Sequence, residues 1–178
     1  MLINIFENKS MPFYKFGEII YLKKIEESHF VEFICNNFAK TGKKINPSQA
    51  LKIAQIVECE PYYVQQLSHI VWINTEKEVD ENIIESSIED LIDQNAIFYQ
   101  REFEDLSYYQ IQFLKALINK VKNFSSKDVI NNYNLNSSAN ISKIRKSLEH
   151  KDIIDIKDNI PEFIDSVFKL WIIRALKV

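Results

Sequence analysis

Apolar residues recur at spacings of three and four through almost every segment of this chain, and only two glycines and four prolines interrupt them. A repeat near 3.6 residues places such side chains on one face of a helix, so the chain must bury helix stripes against one another. The expected fold is mainly α, a small helical bundle followed by a winged helix-turn-helix domain with a short β-hairpin. At 178 residues, 46% of them hydrophobic, the chain has enough apolar surface for a packed core, in one domain or two small ones.

The helix boundaries are written in capping chemistry. After the extended-looking "MPFYKFGEIIYLKKI", a helix from His29 sets Phe30, Phe33, Ile34 and Phe38 on one face and ends near Gly42. The second helix starts at "NPSQ": Asn46 caps, Pro47 suits the first helical position and Gln49 closes a capping box, with Ala50, Leu51, Ala54 and Val57 as its stripe. A third begins at Pro61, its face formed by Tyr63, Leu67, Ile70 and Val71. Asp80 caps a fourth, with Ile84, Ile88, Leu91 and Ile92 inside.

The polar stretch "YQREFEDLS" marks the expected boundary, dividing the chain into a lead-in over 1–28, a helical bundle over 29–102 and a winged helix over 103–178. In the last unit Ser107 caps a helix with Ile111, Leu114, Leu117, Ile118 and Val121 inside, "SSKD" opens a short one, and "LNSS" turns into a third bearing Ile141, Ile144 and Leu148. "DIIDI", a "KDN" turn and "IPEFI" read as a hairpin, and an apolar helix runs from Asp165 through Trp171 to Leu176.

Charge divides along the same line. Residues 103–178 carry 12 Lys and Arg against 9 Asp and Glu, a balance of +3, while residues 1–102 carry 10 against 16, a balance of −6. Such a split is compatible with nucleic-acid contact in the second half but falls short of a strongly basic domain. No apolar run approaches the roughly 20 residues that span a bilayer, and "MLINIFENKS" has no signal-peptide pattern, so no membrane partner and a cytoplasmic location are expected. Cys35 and Cys59 each sit in an apolar helical pattern and read as free, buried thiols.

Chemistry-bearing motifs are few. "AKTGKKIN" looks like the end of a phosphate-binding loop, but a helix precedes it, Phe38 stands near where a glycine belongs, and Lys44 replaces the magnesium-binding hydroxyl. Its expected role is a helix C-cap at Gly42. His29, His69 and His150 lie far apart with no ligand partner at helical spacing, so no metal site is expected. The acidic groups fall at helix starts, and neither a nucleophile elbow nor a cysteine-histidine signature is present. The chain reads as non-catalytic and without a cofactor of its own.

Four phrases in order, "MPFYKFGEIIYLKKI", "CEPYYVQQLSHIVW", "LSYYQIQFLKAL" and "IDSVFKLW", resemble the region downstream of the nucleotide-binding core in prokaryotic AAA-type ATPases of the archaeal-ATPase-like group. Pro61, Tyr63, Gln65 and Leu67 match that family's lid helix, and Asp165, Phe168 and Trp171 its terminal motif, with Ser166 where proline is usual. The resemblance implies a lid-like bundle that follows nucleotide state and passes it to a winged helix. It implies an ATPase core, with ATP and magnesium, upstream of these residues, since both Walker motifs are missing here. Tyr63 and Leu67 are expected in the core, and Gln65 and Gln66 facing solvent or a neighbouring domain.

The helix over 139–150 carries the sharpest functional question. Opposite its buried side lie Ser142, Lys143, Lys146 and His150, with Arg145 on the flank, four residues before Glu149 and within reach of an ion pair. One reading places Asn140, Ser142, Lys143, Arg145 and Lys146 on duplex DNA as a recognition helix. The other treats the winged helix as a protein-docking module. The wing's Asp155, Asp158 and Glu162, where DNA would want cations, favour docking. The partners admitted are the ATPase core, another protein, DNA or a second copy of the chain.

Overall fold

The computed structural model describes residue 10 and residues 24–178, apart from residue 158. Most of the expected lead-in, including nearly all of "MPFYKFGEIIYLKKI", lies outside the described residues. Helix α1, Glu27–Lys40, ends in a Schellman motif: Gly42 takes φ +76°, its N–H bonds Ala39 O at 3.0 Å, and that of Lys43 bonds Phe38 O at 3.1 Å. Only glycine reaches that backbone without strain, so the stretch that looks like a phosphate loop is a helix stop. Phe30, Ile34 and Phe38 are buried, but Phe33 is 46% exposed. It sits at the edge of the helix stripe and borders an open groove instead of the core.

Helix α2, Pro47–Ile56, carries the expected capping box of Asn46 and Gln49. Its stripe differs by one turn position: Ile53 is buried with Ala50, Ala54 and Val57, and Leu51 is only half-buried. Helix α3, Pro61–Asn74, buries Val64, Leu67, Ile70 and Val71. Helix α4, Glu81–Glu104, is capped by Asp80, whose side chain accepts from Ile83 N at 2.9 Å. Its 24 residues make a rod about 36 Å long at 1.5 Å per residue. The rod passes without a break through residues 102 and 103.

The second half follows the order helix, helix, helix, hairpin, helix. Helix α5, Tyr108–Ile118, opens with a capping box between Ser107 and Gln110. The buried Gln110 also donates from Nε2 to Ser147 Oγ at 3.0 Å, so one side chain caps α5 and ties it to a later helix. Helices α6, Lys127–Asn132, and α7, Ser138–His150, are capped by Ser126 and Ser137. Strands β1, Ile154–Lys157, and β2, Ile160–Phe163, pair antiparallel with Ile154 opposite Phe163. The mostly helical fold with its short hairpin is that of a winged helix.

Helix α8, Ser166–Leu176, then returns to the first half. Val167, Phe168 and Ile172 are almost fully buried, and Trp171 packs edge-on to Phe103 of α4 with ring centres 5.5 Å apart. Arg174 forks between Glu89 Oε2 at 2.8 Å and Asp93 Oδ1 at 2.7 Å, both on α4. Lys169 pairs with Glu58 at the end of α2. Ser166 Oγ donates to Val57 O at 3.1 Å, a bond that a proline at that position could not make. Among the described residues one hydrophobic core runs from Phe30 to Ile172.

Candidate functional site

The face of α7 is set by its buried stripe, Ile141, Ile144 and Leu148, which turns Ser142, Lys143 and Lys146 to solvent. None of these three forms an ion pair or side-chain hydrogen bond among the described residues. Asn140 is different. Its Nδ2 donates to Leu135 O at 3.0 Å and its backbone N–H bonds Ser137 Oγ at 3.2 Å, so the amide holds the turn before the helix.

Arg145 also departs from expectation. It makes no ion pair with Glu149. Its guanidinium carbon lies 5.3 Å from the centre of the Phe124 ring and 6.0 Å from that of Phe113, two rings stacked at 4.4 Å. The flat, weakly hydrated guanidinium gains more over an aromatic pair than from an exposed pair with Glu149, which is worth only a few tenths of a kcal/mol. Its Nε is buried without a hydrogen-bond partner among the described residues.

On the wing, Lys157 Nζ sits 3.5 Å from Asp155 and 3.6 Å from Glu162, so the hairpin's own cation is matched by acids. Asp158 lies outside the described residues.

Helix α3 takes part in a dense polar site. Leu67 is fully buried as expected, but Tyr63 is half-buried and its hydroxyl is engaged: Oη donates to Asp165 Oδ2 at 2.7 Å and lies 3.0 Å from Tyr99 Oη. Tyr99 Oη also reaches Asp165 Oδ2 at 3.1 Å. Asp165 meanwhile caps α8, with Oδ1 accepting from Val167 N at 2.9 Å and Phe168 N at 2.8 Å. One carboxylate thus joins α3, α4 and α8.

Burial sets the electrostatics of this node. It pushes both phenols above the ordinary tyrosine range, and the negative charge of Asp165 adds to the shift. The carboxyls of Glu60 and Glu102 are raised first by burial and then by Asp165. The node therefore concentrates negative charge where α3, α4 and α8 meet, and the phenolic hydrogen bonds hold it.

Gln65 is exposed, as expected, and Gln66 is half-buried, with Nε2 3.4 Å from Gln94 Oε1 on α4. Both border a groove of about 730 Å3 between α1 and α3, with Phe33, Tyr62, His69 and Trp72 along it. The histidines are exposed, and His69 stacks on Trp72 at 5.9 Å. Cys35 and Cys59 are free and half-buried, less enclosed than the sequence suggests, with thiols that burial pushes up. Among the described residues no group of three or more His, Cys, Asp and Glu could hold a metal ion, and no helix is long and apolar enough to cross a membrane.

Tyr99, Glu60 and Glu102 were not singled out by sequence. Asp165 had two signals, its N-cap chemistry and its place in the terminal motif, but its tyrosine partners lie 66 and 102 residues away.

Residues 97–174 match a family described as a probable winged helix domain. The fold also matches the Walker-type ATPase of Pyrococcus abyssi with a TM-score of 0.65 at 14% sequence identity. That likeness takes in 93% of this chain and 47% of the ATPase chain, so the chain spans about half the length of that protein. No curated protein sequence matches.

Proposed function

We propose that this chain is a non-catalytic coupling unit of an AAA-type ATPase, in which a lid-like bundle passes nucleotide state to a winged helix that docks a protein partner or the ATPase core. The observation that carries the reading is the Asp165 node. Its carboxylate holds Tyr63 on the lid-like helix and Tyr99 on the long rod while capping the helix that closes the winged helix. A displacement of α3 would be felt at the start of α8 within one side chain's length. The fold likeness to a Walker-type ATPase and the winged-helix match supply the context.

ATP and magnesium belong to the core in this reading. Calorimetric titration of the chain with magnesium-ATP should give no binding, and micromolar affinity or turnover that survives repurification would overturn the non-catalytic assignment. An in-frame phosphate-binding loop in the coding sequence 5′ of these residues supports the ATPase assignment, and a separate gene there contradicts it.

A second reading, duplex DNA binding through α7, draws on the two unpaired lysines, Lys143 and Lys146. It is weakened by the loss of Asn140 and Arg145 to internal contacts.

A further inference from the structure

The winged helix has a second cleft, of about 640 Å3, between the hairpin and the end of α5, and Glu58 and Lys169 reach it from the bundle and α8. All five residues from Asn159 to Phe163 line it. Four of them are the whole of β2, and since side chains alternate between the two faces of a strand, a cleft bordered by four consecutive strand residues runs along the strand's edge. Among the described residues that edge is unpaired: the sheet has two strands, and β1 covers only one side of β2.

The polarity of the edge follows from one bond. Ile164 N donates to Ile153 O at 3.1 Å, so Ile164, Glu162 and Ile160 are the residues hydrogen-bonded to β1. Alternation then turns the N–H and C=O of Phe163 and the C=O of Pro161 away from β1. Pro161 brings no N–H, as edge strands tolerate.

Chemistry on the opposite wall is specific. Leu117 and Val121 give it an apolar floor, and Lys120 and Lys122 follow directly, with Lys24 nearby. These three lysines form no ion pair among the described residues, whereas Lys169 is matched by Glu58 and Glu162 lies 3.6 Å from Lys157. An occupant needs a backbone that can pair with a strand, an apolar side chain for the floor and carboxylates for the rim.

We propose that this cleft binds an extended acidic peptide segment of a partner protein, which adds to β2 as a third strand. The peptide accepts from Phe163 N–H and donates to the carbonyls of Phe163 and Pro161. Its apolar residue packs on Leu117 and Val121, and its carboxylates meet Lys120, Lys122 and Lys24. The inference deepens the docking reading above, on which it rests, by giving the docked partner a surface and a chemistry.

The test uses the full chain and a labelled peptide of alternating valine and glutamate. Anisotropy should show saturable binding that weakens by about tenfold or more in the Lys120→Glu/Lys122→Glu variant, from two lost attractions and two new repulsions. The same peptide with lysine for glutamate should not bind. In hydrogen exchange the Phe163 amide, which has no hydrogen-bond partner among the described residues, should become protected by the acidic peptide and not by its backbone N-methylated form.

Absence of binding, binding that the double reversal leaves unchanged, or an unprotected Phe163 amide overturns the proposal. So does self-association that the double reversal abolishes, since the occupant would then be a second copy. Failure here leaves docking through another face standing. Failure of the docking reading has a different signature, duplex DNA binding that Lys143→Glu/Lys146→Glu removes.

Discussion

Replacing Asp165 by alanine removes a helix cap and two tyrosine hydrogen bonds at once. The carboxylate caps α8 through two backbone bonds of 2.8 and 2.9 Å, and loss of such a cap costs about 1 kcal/mol. It also accepts from Tyr63 at 2.7 Å and Tyr99 at 3.1 Å, each worth about 1 kcal/mol in a half-buried setting. Relief of the repulsion on Glu60 and Glu102 returns a small part.

The expected loss is therefore about 3 kcal/mol, or a fall in Tm of about 6 to 12 °C for a chain of this size. Asp165→Asn keeps one acceptor and should lose about half as much. Urea unfolding followed by far-UV circular dichroism measures these values, and a double-mutant cycle with Tyr63→Phe isolates the pair. The single Tyr63→Phe change should cost about 1 kcal/mol in the wild-type background and measurably less beside Asp165→Ala, where the Tyr99 hydroxyl is its one remaining partner among the described residues. A loss below about 0.5 kcal/mol for Asp165→Ala, or strict additivity in the cycle, would refute the reasoning.

Other perturbations follow from the same geometry. Glu60 and Glu102 titrate above the ordinary carboxylate range in the folded state, so the fold retains protons that the unfolded chain has released, and stability falls as pH rises from about 4.3 through the raised values. Glu60→Gln/Glu102→Gln should thus stabilise at neutral pH and give no gain near pH 3, and an equal gain at both would contradict it. Tyr63 and Tyr99 are raised too, so stability should drop as pH climbs past about 10, and Tyr63→Phe/Tyr99→Phe should flatten that slope in pH-jump unfolding. For α7, Lys143 and Lys146 alone could neutralise phosphates, which limits the log-log salt slope for duplex DNA to about −1.8. A slope of −3 or steeper at about 0.9 per contact would show that the cation assignment is incomplete.

The elements of this fold are legible where the physics is local. Asn46 with Gln49, Asp80, Ser107 and Ser137 each sit within three residues of the N–H they cap, and all were readable as helix starts. The hairpin and the stop at Gly42 were equally so. Readings that needed a neighbour across the fold came out differently. Phe33 shares a helical wheel with Phe30 and Ile34, but no element among the described residues covers its side of α1. Arg145 stands four residues before Glu149, yet the two rings beneath it come from positions 113 and 124. Composition shifts near Phe103, while the rod of α4 continues past that point, with Phe103 packed on Trp171 from a segment far along the chain. The Asp165 node joins three segments and has no local pattern that a single sequence can display.

The claim that the bundle and the winged helix act as one body is tested most directly by differential scanning calorimetry of the full chain. The core from Phe30 to Ile172, the Arg174 fork onto α4 and the Asp165 node all cross between the two halves. A single transition is expected, with a calorimetric enthalpy equal to the van't Hoff value. Two resolved transitions, or a calorimetric enthalpy well above the van't Hoff value, would show that the halves melt independently and that no coupling passes through α4 and α8.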